Sequence, residues 1–317
     1  MPIVNTHLHI NPFSSNCFFY NDYNLKQFLH EMDTAGISIA LPSLNPKLDI
    51  FRCPSDCSIS CPKCESINNN MENCSDCTYS KKHRTAIVQS NNFLSIYCKT
   101  CNTIIYTGID PVRKYNIELL KRTQSLRFKI KPFVFLSICN STIQQEINFF
   151  EHNFANEFVG YKLHPWTNQA SVKELHLSTK LPFLIHTGTR SLESTENALI
   201  FAKNHPKNQV VIAHAAQLFP QYLEEIANMP NVFIDCCPST FMFKHQESSF
   251  GNHMCLDSPL DIYNIALRYV GANKILFGTD SPWGNSKDEL KVICTLNITE
   301  KDRNKILFEN AYDLFSL

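Results

Sequence analysis

Glycine is scarce, with 8 in 317 residues. No Gly-rich turn follows the first strand-like segment, which removes the phosphate-binding signature that an open, doubly wound dinucleotide fold would carry there. Neither sign of charge is in surplus, since Lys plus Arg and Asp plus Glu each total 29. The basic excess that drives binding to nucleic acid or to an anionic membrane is therefore missing. No apolar run approaches the roughly 18 residues of a membrane span, and the first residues are neither basic nor followed by a small-residue cleavage site. These absences predict a soluble, cytoplasmic protein that acts on a small molecule and has no nucleic-acid or membrane partner. What is present, 44% hydrophobic against 18% charged residues, is enough to bury a full core and excludes a disordered chain.

Short apolar runs alternate with segments of helical spacing. The strand-like runs are Ile3–Ile10, Ile37–Leu41, Lys131–Ile138, Val159–Leu163, Pro182–Thr187, Val210–Ala213, Val232–Cys236 and Lys274–Gly278. They are continuous rather than alternating, the pattern of strands buried on both faces in a parallel sheet. Helices are expected at Leu25–Ala35, closed by Gly36 as C-cap, and at Tyr115–Gln124, Thr142–Phe154, Val172–Thr179, Glu193–Asn204, Pro220–Asn228 and Leu260–Val270. A last amphipathic helix, capped at Thr299, is expected on the outer wall. Eight parallel strands with intervening helices predict an α/β fold, a (β/α)8 TIM barrel spanning 1–317. Between the second and third strands, residues 44–103 lose periodicity in Asn, Ser, Lys and Cys and are expected to form an insertion without an apolar core of its own.

Barrel enzymes build their sites where strands end. Here those ends carry His7 and His9, Lys162 and His164, His186, His214 and Asp280. His7 and His9 are two apart on one strand, so both imidazoles share a face and suit a zinc ion. With His186 and Asp280 added, four polar groups in a barrel mouth without a shared partner would be costly. Asp235, near the end of the seventh strand, reads more simply as a loop-holding aspartate.

The segments Asn5-Thr6-His7-Leu8-His9, Gly160-Tyr161-Lys162-Leu163-His164-Pro165, His186-Thr187-Gly188, Ala213-His214 and Phe277-Gly278-Thr279-Asp280-Ser281-Pro282 together resemble the metal-dependent amidohydrolase superfamily, in its amidohydrolase-related branch. The resemblance implies that His7, His9, His186 and Asp280 ligate one catalytic Zn2+ and that His214 polarises the substrate or moves a proton. It implies a metal-bound hydroxide that attacks an ester, amide or lactone carbonyl, with Asp280 taking the proton. A non-oxidative decarboxylase of a small carboxylic acid using the same mononuclear site is the alternative. Lys162 has two readings: a carbamate bridging a second metal ion, as in binuclear members, or an ammonium for a substrate carboxylate. His164, Arg190 and Trp283 are the candidate substrate contacts.

The chain has 14 cysteines, and eight of them, Cys53, Cys57, Cys61, Cys64, Cys74, Cys77, Cys98 and Cys101, fall inside the insertion. Three Cys-x2-Cys knuckles and one Cys-x3-Cys pair supply the thiolates of two tetrahedral structural zinc sites, in a zinc-ribbon-like module. Cys57, Cys61 and Cys64 also spell the triplet of radical-SAM enzymes, but that triplet lies outside the loop after the first strand. An insertion after a barrel strand overhangs the mouth, so this module is expected to shape a lid or to meet a second copy or another protein.

Overall fold

The computed structural model describes residues 2–12, 23–46, 85–90, 93–98, 104–109, 111–137, 143–168, 170–246, 250 and 255–317. The chain enters through β1 (Val4–His9), passes helix α1 (Leu25–Ala35) and returns as β2 (Ile39–Ser43), parallel to β1. α1 starts at a capping box, in which Asn24 accepts from the Gln27 amide and Gln27 reaches back to the Asn24 amide, and it ends at Gly36 with φ 72°. Phe28 and Met32 seat this helix against Leu8, Ile10, Ile37 and Ala40.

The antiparallel strands β3 (Thr85–Ser90), β4 (Phe93–Cys98) and β5 (Ile104–Ile109) then form a three-stranded sheet of their own. The part of the insertion expected to be irregular thus contains an ordered meander that runs past residue 103 to Ile109. β-branched and aromatic residues such as Ile87, Val88, Phe93, Ile96 and Tyr97 are frequent in it and suit a pleated sheet. Cys53, Cys57, Cys61, Cys64, Cys74, Cys77 and Cys101 lie outside the described residues, and Cys98 is described only as the last backbone position of β4.

After α2 (Pro111–Thr123) the barrel resumes with β6 (Phe133–Phe135), α3 (Ile143–Asn153), β7 (Gly160–Leu163), the single turn α4 (Pro165–Asn168), β8 (Phe183–Ile185), α5 (Thr195–Asn204) and β9 (Val210–Ile212). It continues through α6 (Pro220–Asn228), β10 (Val232–Asp235), α7 (Ser239–Lys244), α8 (Pro259–Val270), β11 (Ile275–Leu276) and α9 (Ser286–Thr295). Strands β6 to β11 form one parallel sheet in sequence order. Two seams close it on the β1–β2 pair. The Ala40 amide donates to the Lys129 carbonyl at 2.8 Å and the Lys131 amide to the Ala40 carbonyl at 3.0 Å. At the other seam, the Thr6 amide donates to Phe277 at 2.9 Å, the Thr279 amide to His7 at 3.0 Å and the His9 amide to Ser281 at 2.8 Å. The eight parallel strands are those expected from the apolar runs, and the architecture is a TIM-type barrel.

Two expectations need correction. No helix covers Val172–Thr179; the segment follows an irregular path. Neighbouring side chains satisfy its backbone instead, with Leu177 N donating to His205 Nε2 at 3.0 Å and Ser178 N to Gln144 Oε1 at 2.8 Å. The C-terminal helix, α10 (Glu300–Asn304) continuing through a π turn at Lys305–Glu309 into α11 (Asn310–Phe315), does not lie on the outer wall. Ala311 and Phe315 join Val4, Leu41, Phe133, Leu184, Val211 and Leu276 in one buried cluster. Leu184 stands two residues before His186 and shares its inward face, so this helix closes the barrel at the end opposite the histidines. Among the described residues no helix is long and apolar enough to cross a membrane.

Candidate metal centre

The inward face of β1 carries Asn5, His7 and His9, all buried. His7 Nδ1 donates to Asp235 Oδ2 at 2.9 Å. With the proton held there, Nε2 keeps its lone pair, and it accepts from Lys162 Nζ at 2.8 Å. His9 Nδ1 donates to the Leu44 carbonyl at 3.2 Å and has Ser43 Oγ at 2.9 Å, which frees its Nε2 in the same way. Asp280 Oδ1 lies 3.2 Å from His9 Nε2 and 3.4 Å from His7 Nε2. Three lone-pair atoms therefore converge, all within 4.8 Å of one another. Lys162 Nζ supplies one positive charge to this acceptor set, and two imidazoles with a carboxylate are also a donor set that a divalent transition metal takes.

The backbone is arranged to make this convergence possible. Asp280 sits at φ 50°, and its amide donates to the His7 carbonyl at 2.7 Å. Gly278 lies so close to β1 and β10 that a Cβ there would stand 2.7 Å from Cys237 Sγ and 2.9 Å from His7 Cβ. After β9, residues 214–218 all adopt positive φ without a single glycine, a left-handed turn costing roughly 1 kcal/mol or more at each residue. Asp235 Oδ1 helps to hold that turn by accepting from the His214 amide at 3.1 Å, and His214 Nδ1 donates to the Cys237 carbonyl at 2.7 Å. Asp235 is thus more than a loop holder: it fixes the His7 tautomer and the His214 turn together, and with His7 and Cys237 it forms a second, overlapping metal-type triad.

His186 is brought to the same mouth but not into the three-atom cluster. Its Nδ1 lies 2.9 Å from His214 Nε2, its Nε2 lies 3.4 Å from Glu193 Oε2, and its ring stacks on His164 with centroids 3.8 Å apart. His164 Nδ1 accepts from the Thr167 amide at 3.3 Å. Glu193, buried in the turn after β8, was not singled out from sequence, because nothing in its spacing from His186 shows that this turn folds it back. Gly188 makes room for it: a Cβ there would stand 2.3 Å from Glu193 Oε1. Arg190, with 47% of its side chain exposed, reaches Glu193 Oε1 at 3.5 Å. His9, His186, Arg190, Glu193, Asp280 and Trp283 are among the residues around a cavity of about 500 Å³. Trp283 meets the His9 ring edge-on, with centroids 5.7 Å apart.

Burial sets the protonation of the site. It pulls His7 down to about 3, with Lys162 adding to the effect and Asp235 and Asp280 opposing it. It lowers His9 and His164, brings His186 to about 4, and lowers Lys162 to about 8 against the attraction of Asp280 and Asp235. Burial pushes Asp235 up, but the charge and hydrogen bond of His7 and the contacts with His214 outweigh it and bring the carboxyl to about 2. Asp280 is held below the ordinary carboxylate range by His7, His9 and His214, again against burial. His7, His9, His164 and His186 are thus neutral at neutral pH.

This has a consequence for stability. A histidine whose folded pKa is depressed binds fewer protons folded than unfolded, so its contribution is present above about 6.5 and drains away as pH falls toward the folded value. The metal-free chain is expected to lose several kcal/mol, in order of magnitude, between about pH 6.5 and about pH 4. Urea denaturation in the presence of a chelator measures it, and a flat profile across that window would contradict the assigned burial of neutral imidazoles.

What the fold and the site define is an α/β barrel with a buried His-His-Asp cation site at its C-terminal mouth. Residues 166–317 match the family model described as Amidohydrolase, a similarity that covers the second half of the barrel. No curated protein matches it. Among solved structures, it is similar to a 2,6-dihydroxybenzoate decarboxylase from Rhizobium (15% identity, TM-score 0.57, covering 99% of this chain and 98% of that one). It is also similar to a 5-carboxyvanillate decarboxylase from Sphingomonas paucimobilis (11%, TM-score 0.59, 100% and 99%). A third is a probable 2-pyrone-4,6-dicarboxylic acid hydrolase from Acinetobacter baumannii (14%, TM-score 0.56, 100% and 100%). At these identities the likeness speaks for the fold.

Proposed function

We propose that the chain is a metal-dependent lyase that releases carbon dioxide from a small carboxylic acid without oxidising it. The observation that carries this reading is the convergence of His7 Nε2, His9 Nε2 and Asp280 Oδ1 beside a cavity that Arg190 lines. In this reading His7, His9, His186 and Asp280 hold one Zn2+, which when bound supplies a Lewis acid at the substrate oxygens. Arg190 takes the substrate carboxylate, and His164 and Trp283 bound the site. When the carbon-carbon bond breaks, its electron pair stays on the substrate carbon, which must gain a proton. His214 is the group suited to deliver it, since its Nδ1 is tied to the Cys237 carbonyl and its Nε2 faces His186 and the cavity. Two of the three similar structures are decarboxylases, which favours this chemistry among those the barrel can host.

Hydrolysis at the same cluster is the second reading, supported by the likeness to the 2-pyrone-4,6-dicarboxylic acid hydrolase. Lys162 Nζ donates to the His7 Nε2 lone pair, which a bound metal ion would take instead, so Lys162 keeps two roles in this reading: an ammonium for a substrate carboxylate or a carbamate bridging a second ion. The eight cysteines of the insertion hold two structural zinc ions in the same reading, and the insertion is the surface for a second copy or a protein partner. To separate the two chemistries, the metal-loaded protein is incubated with hydroxylated aromatic acids, lactones and amides in 18O-water. Carbon dioxide without label in the organic product is the expected result. Label in a ring-opened or cleaved product would reverse the order of the readings, and neither outcome across the panel would overturn both.

A further inference from the structure

Outside the cluster, one carboxylate is tied into the seam that closes the barrel. Glu31 projects from α1, the helix that follows the strand of His7 and His9, and it grips the loop that carries Asp280. Its Oε1 accepts from Ser281 Oγ at 3.1 Å, from the Ser286 amide at 2.8 Å and from Ser286 Oγ, and its Oε2 accepts from Tyr23 Oη. Ser281 and Ser286 are buried, with 1% and 0% exposed. Ser281 is the residue after Asp280, and its carbonyl accepts from the His9 amide at 2.8 Å. Its hydroxyl also meets Thr279 Oγ1 at 2.9 Å, and Thr279 Oγ1 in turn accepts from Asn5 Nδ2 at 2.9 Å. One chain of hydrogen bonds therefore runs from Glu31 through Ser281 and Thr279 to Asn5, two residues before His7.

We infer that Glu31 is a positioning residue for the cation cluster, acting through Ser281 and Ser286 to hold Asp280 against His7 and His9. All three cluster donors come from the first and last strands of the barrel and their ends, so the cluster straddles the seam where the sheet closes. The seam's backbone bonds to β1 run from Phe277 to Ser281, beyond β11, which is two residues long. Asp280 stands in a left-handed conformation that an aspartate does not favour by itself, so its carboxylate keeps its place only if both flanks of the loop are held. The β1 backbone bonds reach both flanks, and the Glu31 clasp adds a second hold on the Ser281 side. A side chain that never touches the ion thereby sets the distance between ligands on separate strands, which is how outer hydrogen bonds raise metal affinity.

The inference rests on the metal reading above, and its test keeps the two apart. The full-length chain, first dialysed against dipicolinate to clear the barrel site, is titrated with Mn2+, which prefers nitrogen and oxygen donors and avoids competition from the cysteines, and free ion is followed by electron paramagnetic resonance. Glu31→Ala is expected to weaken Mn2+ binding about 10- to 100-fold. Glu31→Gln should stay within about threefold of the wild type, because its amide oxygen still accepts from Ser281 and Ser286. Glu146→Gln, which disrupts the buried Arg113–Glu146 pair away from the seam, serves as a general destabilisation control and should leave affinity unchanged.

Unaltered affinity in Glu31→Ala, an equal loss in Glu31→Gln, or an equal loss in the control would each overturn the inference. Should Glu31→Ala fail to fold, Ser281→Ala decides: weakened binding supports the clasp and unchanged binding overturns it. Absence of saturable Mn2+ binding by the wild-type chain would instead remove the metal reading beneath the inference.

Discussion

Asp280→Asn is expected to lower metal affinity by more than about 100-fold and to abolish turnover, while destabilising the metal-free barrel by only about 1–3 kcal/mol. The first half follows from the ligand set. Outer-shell hydrogen bonds to metal ligands are typically worth about 10- to 100-fold in affinity, and a carboxylate oxygen that touches the ion must exceed that. The second half follows from charge. Asp280 and Asp235 attract the buried Lys162 ammonium, and the contacts with His7, His9 and His214 hold Asp280 ionised, so a neutral amide gives up that stabilisation. An asparagine amide turned toward His9, whose Nε2 lies 3.2 Å from Asp280 Oδ1, donates a hydrogen bond that offsets part of the loss. Loss of saturable metal binding in a variant that still unfolds cooperatively in chelator separates this role from a structural one, in which the fold would be lost as well.

Asp235→Ala is expected to destabilise the fold by about 3–5 kcal/mol, the range for breaking a buried charged network. Its carboxylate takes the His7 Nδ1 proton, the His214 amide and the Cys237 amide, the last at 3.3 Å, and Cys237 Sγ lies 3.2 Å from Oδ1. Asp235, His7 and Cys237 have no exposed surface, so water cannot replace the lost acceptor at His7 or Cys237. Asp235→Asn gives a different result. Its oxygen can still serve the two amides, while its NH2 group opposes the His7 Nδ1 proton and drives it to Nε2, removing the lone pair that faces Asp280. A smaller loss in urea stability with a loss of metal binding as large as that of Asp235→Ala is the expected pattern. An Asn variant that binds metal like the wild type would show that the His7 tautomer does not matter.

The strands were legible because burial on both faces leaves a mark on sequence: runs such as Phe183–Ile185 and Val210–Ile212 have no polar interruption. The site was legible at its strand ends for the same reason, since a histidine following such a run has few explanations. Legibility failed where a residue's meaning depends on a partner far away in sequence. Asp235 reads as a loop aspartate until closure of the barrel brings the end of β10 within reach of His7 on β1, and Glu31 reads as an exposed helix residue until the β11 loop folds over α1. The orientation of His186 is equally hidden: strand position fixes which face it occupies, whereas Glu193, His164 and His214 decide where its nitrogens turn. The final helix shows the same limit, because its apolar face fits an outer wall or an open barrel end equally well. Within the insertion, cysteine spacing is the stronger sequence signal and masks the β-branched and aromatic residues that form β3, β4 and β5.

The most direct test is elemental analysis of the purified chain beside a His7→Ala, His9→Ala double variant. About three zinc equivalents are expected in the wild type, one in the barrel and two on the cysteines, and about two in the variant. Equal metal content in the two proteins would contradict a cation held by His7, His9 and Asp280.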